Sequence, residues 1–258
     1  MADLLGADAM TDLALLRLRL DERDPKATPI KTADFGNSDK VNVGDMCFAM
    51  GSPAGLSQSV TKGIISNTAL ISASSRSFRL DGENVGELVR WLGHDAVIYP
   101  GNSGGPLVDK NGKIIGINEV GIGSLGGAIP SNLAKNVAQE LEKQGYVSRS
   151  WVGLECQPMI EENLSGVLVA GVISDSPADL SEIKAGDIIT KYAGTNVSAR
   201  IPEDIPVFNQ LVYSRPANQK LWIHGFRKEK PVKWQITPAP KEPAYAKEIE
   251  VKSWGITV

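Results

Sequence analysis

The stretch Gly101-Asn102-Ser103-Gly104-Gly105-Pro106-Leu107 says more about the fold than any other part of the chain. A serine among glycines sits on a tight turn, where its hydroxyl is exposed and no neighbouring side chain blocks a substrate carbonyl. Glycines also let the loop turn backbone N–H groups outward, as stabilisation of an oxyanion requires. This run therefore predicts a nucleophilic serine or, taken alone, an ordinary glycine-rich turn.

A serine nucleophile needs a base to take its proton and an acid to orient that base. The candidate acid is Asp12 in Thr11-Asp12-Leu13-Ala14-Leu15-Leu16-Arg17-Leu18, where a threonine-aspartate pair opens an apolar strand. On its own, this segment is better explained as an aspartate at the edge of an apolar strand, which is a common arrangement.

Further motifs follow in a fixed order and raise the specificity of the pattern. They are Gly36-Asn37-Ser38-Asp39, Val43-Gly44-Asp45, Ala49-Met50-Gly51-Ser52-Pro53-Ala54-Gly55, Ser59-Val60-Thr61-Lys62-Gly63-Ile64-Ile65-Ser66 and His94-Asp95-Ala96. Together with the two segments above, they resemble the HtrA/Deg serine proteases over most of residues 6–144. The resemblance implies a trypsin-like fold in which Ser103 attacks the peptide carbonyl and Asp12 orients the base. It also implies that the N–H groups of Gly101 and Ser103 form the oxyanion hole.

The histidine departs from the family pattern. The chain contains only His94 and His224, whereas the family carries its triad histidine well before the aspartate. His94 lies on the segment that leads into the serine loop, and we expect a structural role for it, hydrogen-bonded near the pocket wall. His224 falls in a separate predicted domain. The chain as given is therefore expected to lack its general base, a loss that lowers turnover by roughly 10⁶ in the serine protease subtilisin.

Composition limits the other classes of function. A length of 258 residues suits one or two domains, and the net charge of −3 gives no nucleic-acid signal. No apolar run approaches the roughly 20 residues that span a bilayer. Cys47 and Cys156 have no metal-like spacing and are predicted to be free buried thiols. We expect no metal and no cofactor.

The predicted fold class is mainly β: a trypsin-like double β-barrel, with its N-terminal barrel mostly missing, followed by a PDZ domain. Residues 1–148 are assigned to the partial protease domain, with the C-terminal barrel over about 36–130. A closing helix is predicted over 131–144, capped by Ser131 and ended by Gly145. Its apolar stripe consists of Leu133, Val137 and Leu141.

The specificity pocket follows from the resemblance. It places Ile98 and the strand residues Ile117, Asn118 and Glu119 in the pocket wall. An apolar lining without a buried acid favours small or branched aliphatic substrate side chains; alternatively, these residues only fill the barrel core. Residues 72–93 form a long segment where the family has its activation loops, so it is either a regulatory insertion or a solvated loop.

Residues 149–238 resemble a PDZ domain. Trp151-Val152-Gly153-Leu154 matches the apolar-Gly-apolar loop whose N–H groups hold a peptide C-terminal carboxylate. Three further blocks follow in the family order: Gly166-Val167-Leu168-Val169-Ala170-Gly171-Val172, Ser176-Pro177-Ala178 and Ile183-Lys184-Ala185-Gly186-Asp187-Ile188-Ile189. A helix over 206–214 would border the peptide groove through Val207 and Leu211, or these two residues would only pack the core.

Residues 239–258 are predicted to be a linker and the first strand of a possible second PDZ repeat. Thr237-Pro238-Ala239-Pro240-Lys241-Glu242-Pro243 is rich in proline, as linkers are, and Trp254-Gly255-Ile256-Thr257-Val258 resembles the opening of such a repeat. The sequence therefore looks truncated at both ends. Alternatively, the Val258 carboxylate is itself a ligand for residues 152–154 of a neighbouring molecule.

The resemblance implies a parent endopeptidase, independent of ATP, that acts on unfolded or damaged proteins in the bacterial periplasm or cell envelope. Its PDZ domain would bind apolar peptide C-termini, and the parent would be a homo-oligomer built from trimers. The competing hypothesis is a non-catalytic pseudoprotease that binds peptides.

Overall fold

The computed structural model describes residues 1–24, 26, 28–55, 58–71, 79–80, 83–160, 165–241, 250–251 and 256–257. The first part is an antiparallel hairpin of β1 (Ala2–Asp8) and β2 (Leu13–Leu18). One face of the hairpin is apolar and exposed, with Leu4, Leu16 and Leu18 each more than half accessible. This hairpin is all that the described residues contain of the predicted first barrel.

The second part contains a closed barrel of six strands and one long helix. Its elements are β3 (Met46–Gly51), β4 (Ser59–Leu70), β5 (Arg79–Leu80), β6 (Glu83–Asn84), β7 (Trp91–His94), β8 (Pro106–Asp109), β9 (Ile114–Ile122), β10 (Leu125–Pro130) and α1 (Ser131–Gln144). The strand order around the barrel is β10-β7-β4-β3-β8-β9. Short β-rich runs predicted this architecture, and the mainly-β class is confirmed.

Buried aliphatic side chains from facing strands fill the barrel. One cluster includes Ile65, Leu107 and Ile115, and a second gathers Val89, Trp91 and Ile129 toward the α1 side. Fully burying an aliphatic side chain of this size stabilises the fold by about 1.5–3 kcal/mol. The barrel is thus a rigid support for the loop that carries Ser103.

The start of α1 differs from the sequence prediction. Pro130 holds the N-cap position, and Ser131 is already helical, so its hydroxyl does not cap the helix. That hydroxyl instead donates to the carbonyl of Gly36 at 3.2 Å, while Ser38 Oγ accepts from the N–H of Asn132 at 3.1 Å. The cap therefore comes from a distant loop, which the local pattern could not show. Gly145 ends the helix in the left-handed conformation, as predicted.

The third part is a second sheet with two helices. Its elements are β11 (Ser150–Trp151), β12 (Leu154–Pro158), β13 (Val167–Val172), α2 (Pro177–Leu180), β14 (Ile188–Tyr192), β15 (Thr195–Asn196), α3 (Ile205–Tyr213), β16 (Leu221–Arg227), β17 (Lys230–Ile236) and β18 (Ala239–Pro240). The sheet order is β12-β13-β14-β16-β17, with β15 paired to β14 and β11 paired to β18. Strand β12 is therefore an edge, which leaves its outer side open beside α3.

The pairing of β18 extends this folded part to Lys241, whose N–H donates to the carbonyl of Arg149 at 2.8 Å. The sequence assigned residues 239–241 to a linker. Farther on, the structure pairs β19 (Glu250–Val251) with β20 (Ile256–Thr257). Trp254, Val258 and most of the linker lie outside the described residues, as does most of the long segment between residues 72 and 82.

Candidate active site and peptide groove

Ser103 lies in the loop before β8, with an exposed side chain and an unusual set of neighbouring amides. Three of the loop's N–H groups are used within the fold: Asn102 donates to Tyr99, Gly104 donates to Asn118, and Gly105 donates to Asn102, at 2.8–2.9 Å. Within the described part of the chain, the N–H groups of Gly101 and Ser103 donate to nothing. Two unused donors therefore sit beside an exposed hydroxyl.

Gly101 shows why the loop needs glycine. Its φ of +108° belongs to the left-handed region, and an added Cβ would lie 2.5 Å from the carbonyl oxygen of Ser52. That carbonyl belongs to the turn after β3, so the loop is pressed against the barrel wall. A side chain at Gly101 would force the loop outward and turn its N–H away from the serine.

The Ser103 hydroxyl donates to the backbone carbonyl of Glu119 at 2.9 Å. Glu119 lies on β9 at a β-bulge: Gly127 pairs with Val120 and Ala128 pairs with Asn118, so Glu119 has no residue opposite it on β10. The bulge turns the backbone of Glu119 toward the serine loop.

The side chain of Glu119 is the unexpected group of the site. Its Oε2 accepts from the indole Nε1 of Trp91 at 2.5 Å, and its buried Oε1 has no hydrogen-bond partner among the described residues. Burial raises the pKa of Glu119 to about 8; the Trp91 hydrogen bond opposes this rise, and the nearby charge of Asp12 adds to it. The predicted pocket strand therefore carries a partly buried acid, and the preference for small or branched aliphatic side chains stays a prediction.

Asp12 occupies the turn between β1 and β2, with φ of +51°. Its side chain reaches the surface, although partial burial raises its pKa above the ordinary value. The structure places it near Glu119, since its charge acts on that carboxyl. Asp12 and Ser103 thus both neighbour Glu119, and no direct hydrogen bond joins Asp12 to Ser103 in the described residues.

Neither histidine hydrogen-bonds to Ser103. His94 is fully buried on β7, and an added Cβ at Gly126 would come within 2.4 Å of its ring. Burial lowers the pKa of His94, which keeps the ring neutral. Asn118 and Ala96 lie close to the ring, but neither ring nitrogen has a well-formed hydrogen bond to a described residue. The burial of His94 fits the structural role expected of it, and its hydrogen bond stays a prediction.

His224 lies on β16 in the second sheet, where its backbone pairs with Lys191 and Lys233. The sheet around it is the one predicted to be a PDZ domain. His224 and Ser103 therefore belong to different folded parts of the chain.

The predicted pocket residues belong largely to the barrel core. Ile98 packs against the cluster that contains Leu107, and Ile117 packs against the cluster that contains Trp91. Asn118 is buried, with its amide donating to the carbonyl of Pro106 at 3.2 Å. Core packing is therefore an established role for the two isoleucines, whereas their contact with a substrate stays a prediction.

The second sheet carries a cleft between β12 and α3. It is lined by Trp151, Val152, Gly153, Leu154, Phe208, Asn209, Val212 and Tyr213. The predicted loop residues Val152, Gly153 and Leu154 are all present, but Val207 and Leu211 do not line it. Val207 is 46% exposed, and Leu211 packs toward the core of the sheet. The contact of Val207 and Leu211 with a bound peptide therefore stays a prediction.

The loop at the end of this cleft has free amide donors. Gly153 adopts φ of +78°, and the N–H groups of Val152 and Gly153 donate to no residue that the structure describes. The carbonyls of the same two residues are used, since they accept from Ala178 and Ile173 at 2.9 and 3.0 Å. The N–H groups of Val152 and Gly153 are therefore available to bind an anion at this end of the cleft.

Helix α3 also contacts the barrel part of the chain. Asn209 and Gln210 donate to the carbonyls of Glu87 and Leu88 at 3.0 and 2.5 Å. The Tyr213 hydroxyl contacts the Glu87 carboxylate at 3.1 Å. Two of the residues that line the cleft, Asn209 and Tyr213, are therefore held by the segment that leads into β7.

Possible metal ligands and thiols are scattered through the part of the chain that the structure describes. It holds no group of three or more His, Cys, Asp or Glu side chains placed to bind a metal ion. Both cysteines are free, with Cys47 buried and Cys156 partly accessible, and burial raises the pKa of Cys47 to about 11. None of the described helices is long and apolar enough to span a bilayer.

Comparisons with known proteins agree with this geometry. Residues 1–117 match the trypsin-like peptidase domain family. A probable periplasmic serine endoprotease, DegP-like, of Rickettsia conorii is 35% identical, over 91% of this chain and 46% of the relative. The DegP-like relative of Marinomonas is 32% identical, over 94% of this chain and 50% of the relative.

Solved structures extend the match over most of the chain. The HtrA-type protease AlgW with a tripeptide superposes with a TM-score of 0.76 at 33% identity, covering 94% of this chain and 78% of that chain. The chain belongs to the HtrA/Deg family of serine proteases. It spans about half the length of the DegP-like relatives it matches.

Proposed function

We propose that this HtrA/Deg chain carries the nucleophile, the orienting acid and the oxyanion hole of a serine endopeptidase. The observation that carries the proposal is the pair of unused N–H groups, on Gly101 and Ser103, beside the exposed Ser103 hydroxyl. Donors held in place before the reaction stabilise a developing oxyanion without reorganisation. Asp12 would orient the base, and the base itself would come from outside the described residues, since neither His94 nor His224 contacts Ser103.

Added imidazole tests this arrangement on the chain itself. If only the base is missing, imidazole should restore hydrolysis of an activated ester of a small aliphatic acid, with a rate that rises with imidazole concentration. Ser103→Ala should abolish the enzyme-dependent part, whereas Ser124→Ala, in the exposed β9–β10 turn, should leave it unchanged. Equal rates for Ser103→Ala and the unaltered chain would reject the proposal.

The intact mass of the protein from its own cells provides the second test. A species well above 27.6 kDa, with a histidine in the additional N-terminal part, would supply the base. Such a protein should cleave casein, an unfolded substrate, faster than a folded control protein of similar size. We propose unfolded proteins as substrates and the periplasm or cell envelope as the location, because the DegP-like relatives are named as periplasmic endoproteases.

We further propose that the second sheet is a PDZ domain that binds peptide C-termini. The open edge of β12 can pair with an added strand, and the free N–H groups of Val152 and Gly153 can hold its carboxylate. Phe208 and Val212 would contact the last apolar side chain. A peptide ending in valine should therefore bind, and the same peptide with an amidated C-terminus should not, as measured by fluorescence anisotropy.

The contacts of α3 offer a route by which an occupied cleft would affect the barrel part. Asn209 and Tyr213 line the cleft and also hold Glu87, which precedes β7.

The parent protein is proposed to be a trimer-based homo-oligomer, and size-exclusion chromatography with light scattering on the protein from its own cells tests this.

A non-catalytic peptide-binding protein remains the second candidate, favoured by the burial of His94 and the distant strand of His224. It predicts peptide binding at the cleft and no Ser103-dependent hydrolysis at any imidazole concentration. It also predicts a native mass that matches this chain.

A further inference from the structure

Glu119 contacts the serine loop through its backbone carbonyl, and its side-chain carboxyl lies against the neighbouring strand β7. Its backbone carbonyl, freed from β10 by the bulge, accepts the Ser103 hydroxyl at 2.9 Å. Its side chain is anchored on Trp91 at 2.5 Å, on the neighbouring strand β7. The residue whose carbonyl holds the nucleophile is thus also fixed through its side chain.

The surroundings of Glu119 favour a neutral carboxyl. The indole of Trp91 supplies one hydrogen bond, and the buried Oε1 has no partner in the described residues. From the turn between β1 and β2, Asp12 contributes a negative charge. His94, on the same strand as Trp91, is buried and neutral, so β7 presents no positive charge to Glu119. A second negative charge here would be poorly solvated and would face a like charge.

We propose that Glu119 is a positioning residue for Ser103: its protonated carboxyl keeps the bulge in the shape that holds the serine hydroxyl, and loss of that proton beside charged Asp12 releases it. Asp12 is exposed, whereas Glu119 is only partly accessible and its Oε1 is buried, so Asp12 loses its proton first. As the pH rises, the site therefore passes through a state in which Asp12 has lost its proton and Glu119 still holds one. This inference rests on the proposed function of Ser103.

The direction of the pH effect follows from the burial of Glu119. Its pKa rises from 4.5 to about 8, so the folded chain keeps a proton that the unfolded chain has already lost. The contribution of Glu119 to the free energy of unfolding therefore falls as the pH rises from 4.5 to about 8, and it is least at alkaline pH. The bulge should hold Ser103 below about pH 8 and lose that hold above it.

Nuclear magnetic resonance of the ¹⁵N-labelled chain tests the link without requiring catalysis. The Trp91 indole and Ser103 amide signals, assigned with Trp91→Phe and Ser103→Ala, are followed from about pH 6 to about pH 10. Both should titrate with one midpoint near pH 8. Glu119→Gln should make both signals flat, and Asp12→Asn should move the midpoint to lower pH. Glu142→Gln, on the exposed side of α1, should change neither.

Two results would overturn the inference. One is a titration that survives in Glu119→Gln, and the other is a Ser103 signal that stays flat while the Trp91 signal titrates. In the imidazole-supported reaction, the rate should decline above about pH 8 in the unaltered chain and persist in Glu119→Gln. A chain that shows the shared titration but no Ser103-dependent hydrolysis would refute the proposed function and leave the positioning role supported.

Discussion

Replacing Gly153 with alanine should damage the second sheet far more than the same change at Gly186. Both glycines are left-handed, with φ of +78° and +90°, so both variants incur a backbone strain of about 1–2 kcal/mol. At Gly186 an added Cβ meets nothing within 4 Å. At Gly153 it would lie 2.2 Å from Cβ of Ser176, a fully buried residue whose Oγ caps α2 by accepting from Asp179 N–H at 3.2 Å.

The additional cost at Gly153 has two parts. Moving a buried side chain to admit a methyl group costs about 1–3 kcal/mol, and loss of the cap costs about 1 kcal/mol. We therefore expect a destabilisation of about 3–6 kcal/mol for Gly153→Ala and about 1–2 kcal/mol for Gly186→Ala. Urea unfolding followed by tryptophan fluorescence measures both. Affinity for a valine-terminated peptide should fall by at least about tenfold, or 1.4 kcal/mol, in Gly153→Ala.

A compensating change makes this reasoning refutable. Ser176→Gly removes both atoms that clash with the new methyl group, and glycine is an acceptable capping residue. The double variant Gly153→Ala with Ser176→Gly should therefore recover most of the lost stability, down to the strain of the left-handed backbone. Equal destabilisation by Gly153→Ala and Gly186→Ala, or a double variant no more stable than Gly153→Ala, would show that the contact with Ser176 does not control this loop.

Two further substitutions test the active-site loop and the second sheet. Gly101→Ala should abolish imidazole-supported hydrolysis because its methyl group would meet a backbone carbonyl at 2.5 Å. Gly104→Ala, with φ of +83° and open space around the new methyl group, should lower the free energy of unfolding by about 1–2 kcal/mol and retain part of the rate. Equal rates in the two variants would contradict this. Arg227→Ala should lower the free energy of unfolding by about 2–4 kcal/mol, since it leaves the carboxylate of Asp187, 1% exposed, without its two guanidinium hydrogen bonds. Urea unfolding measures this loss, and the exposed Arg17→Ala should stay within about 0.5 kcal/mol.

Helix α3 shows what a periodic sequence pattern can predict and what it cannot. Val207 and Leu211 are an apolar pair one helical turn apart, and so are Phe208 and Val212. Periodicity treats the two pairs alike, because both satisfy the same spacing. The orientation of α3 on the sheet decides between them, and the structure turns Phe208 and Val212 toward the cleft. The side chains of Asn209 and Gln210, which bind the barrel part, contribute to that orientation.

The sequence by itself determined the family, the mainly-β class and the serine loop. These depend on local physics: left-handed glycines such as Gly101 shape the loop, and alternating apolar residues form the strands. Only the tertiary structure decided that Glu119 is a partly buried acid with a raised pKa. Its environment comes from a bulge on β9, an indole on β7 and the distant turn that carries Asp12. The pKa of a carboxyl depends on the solvent and charges around it, which the chain brings together only when it folds.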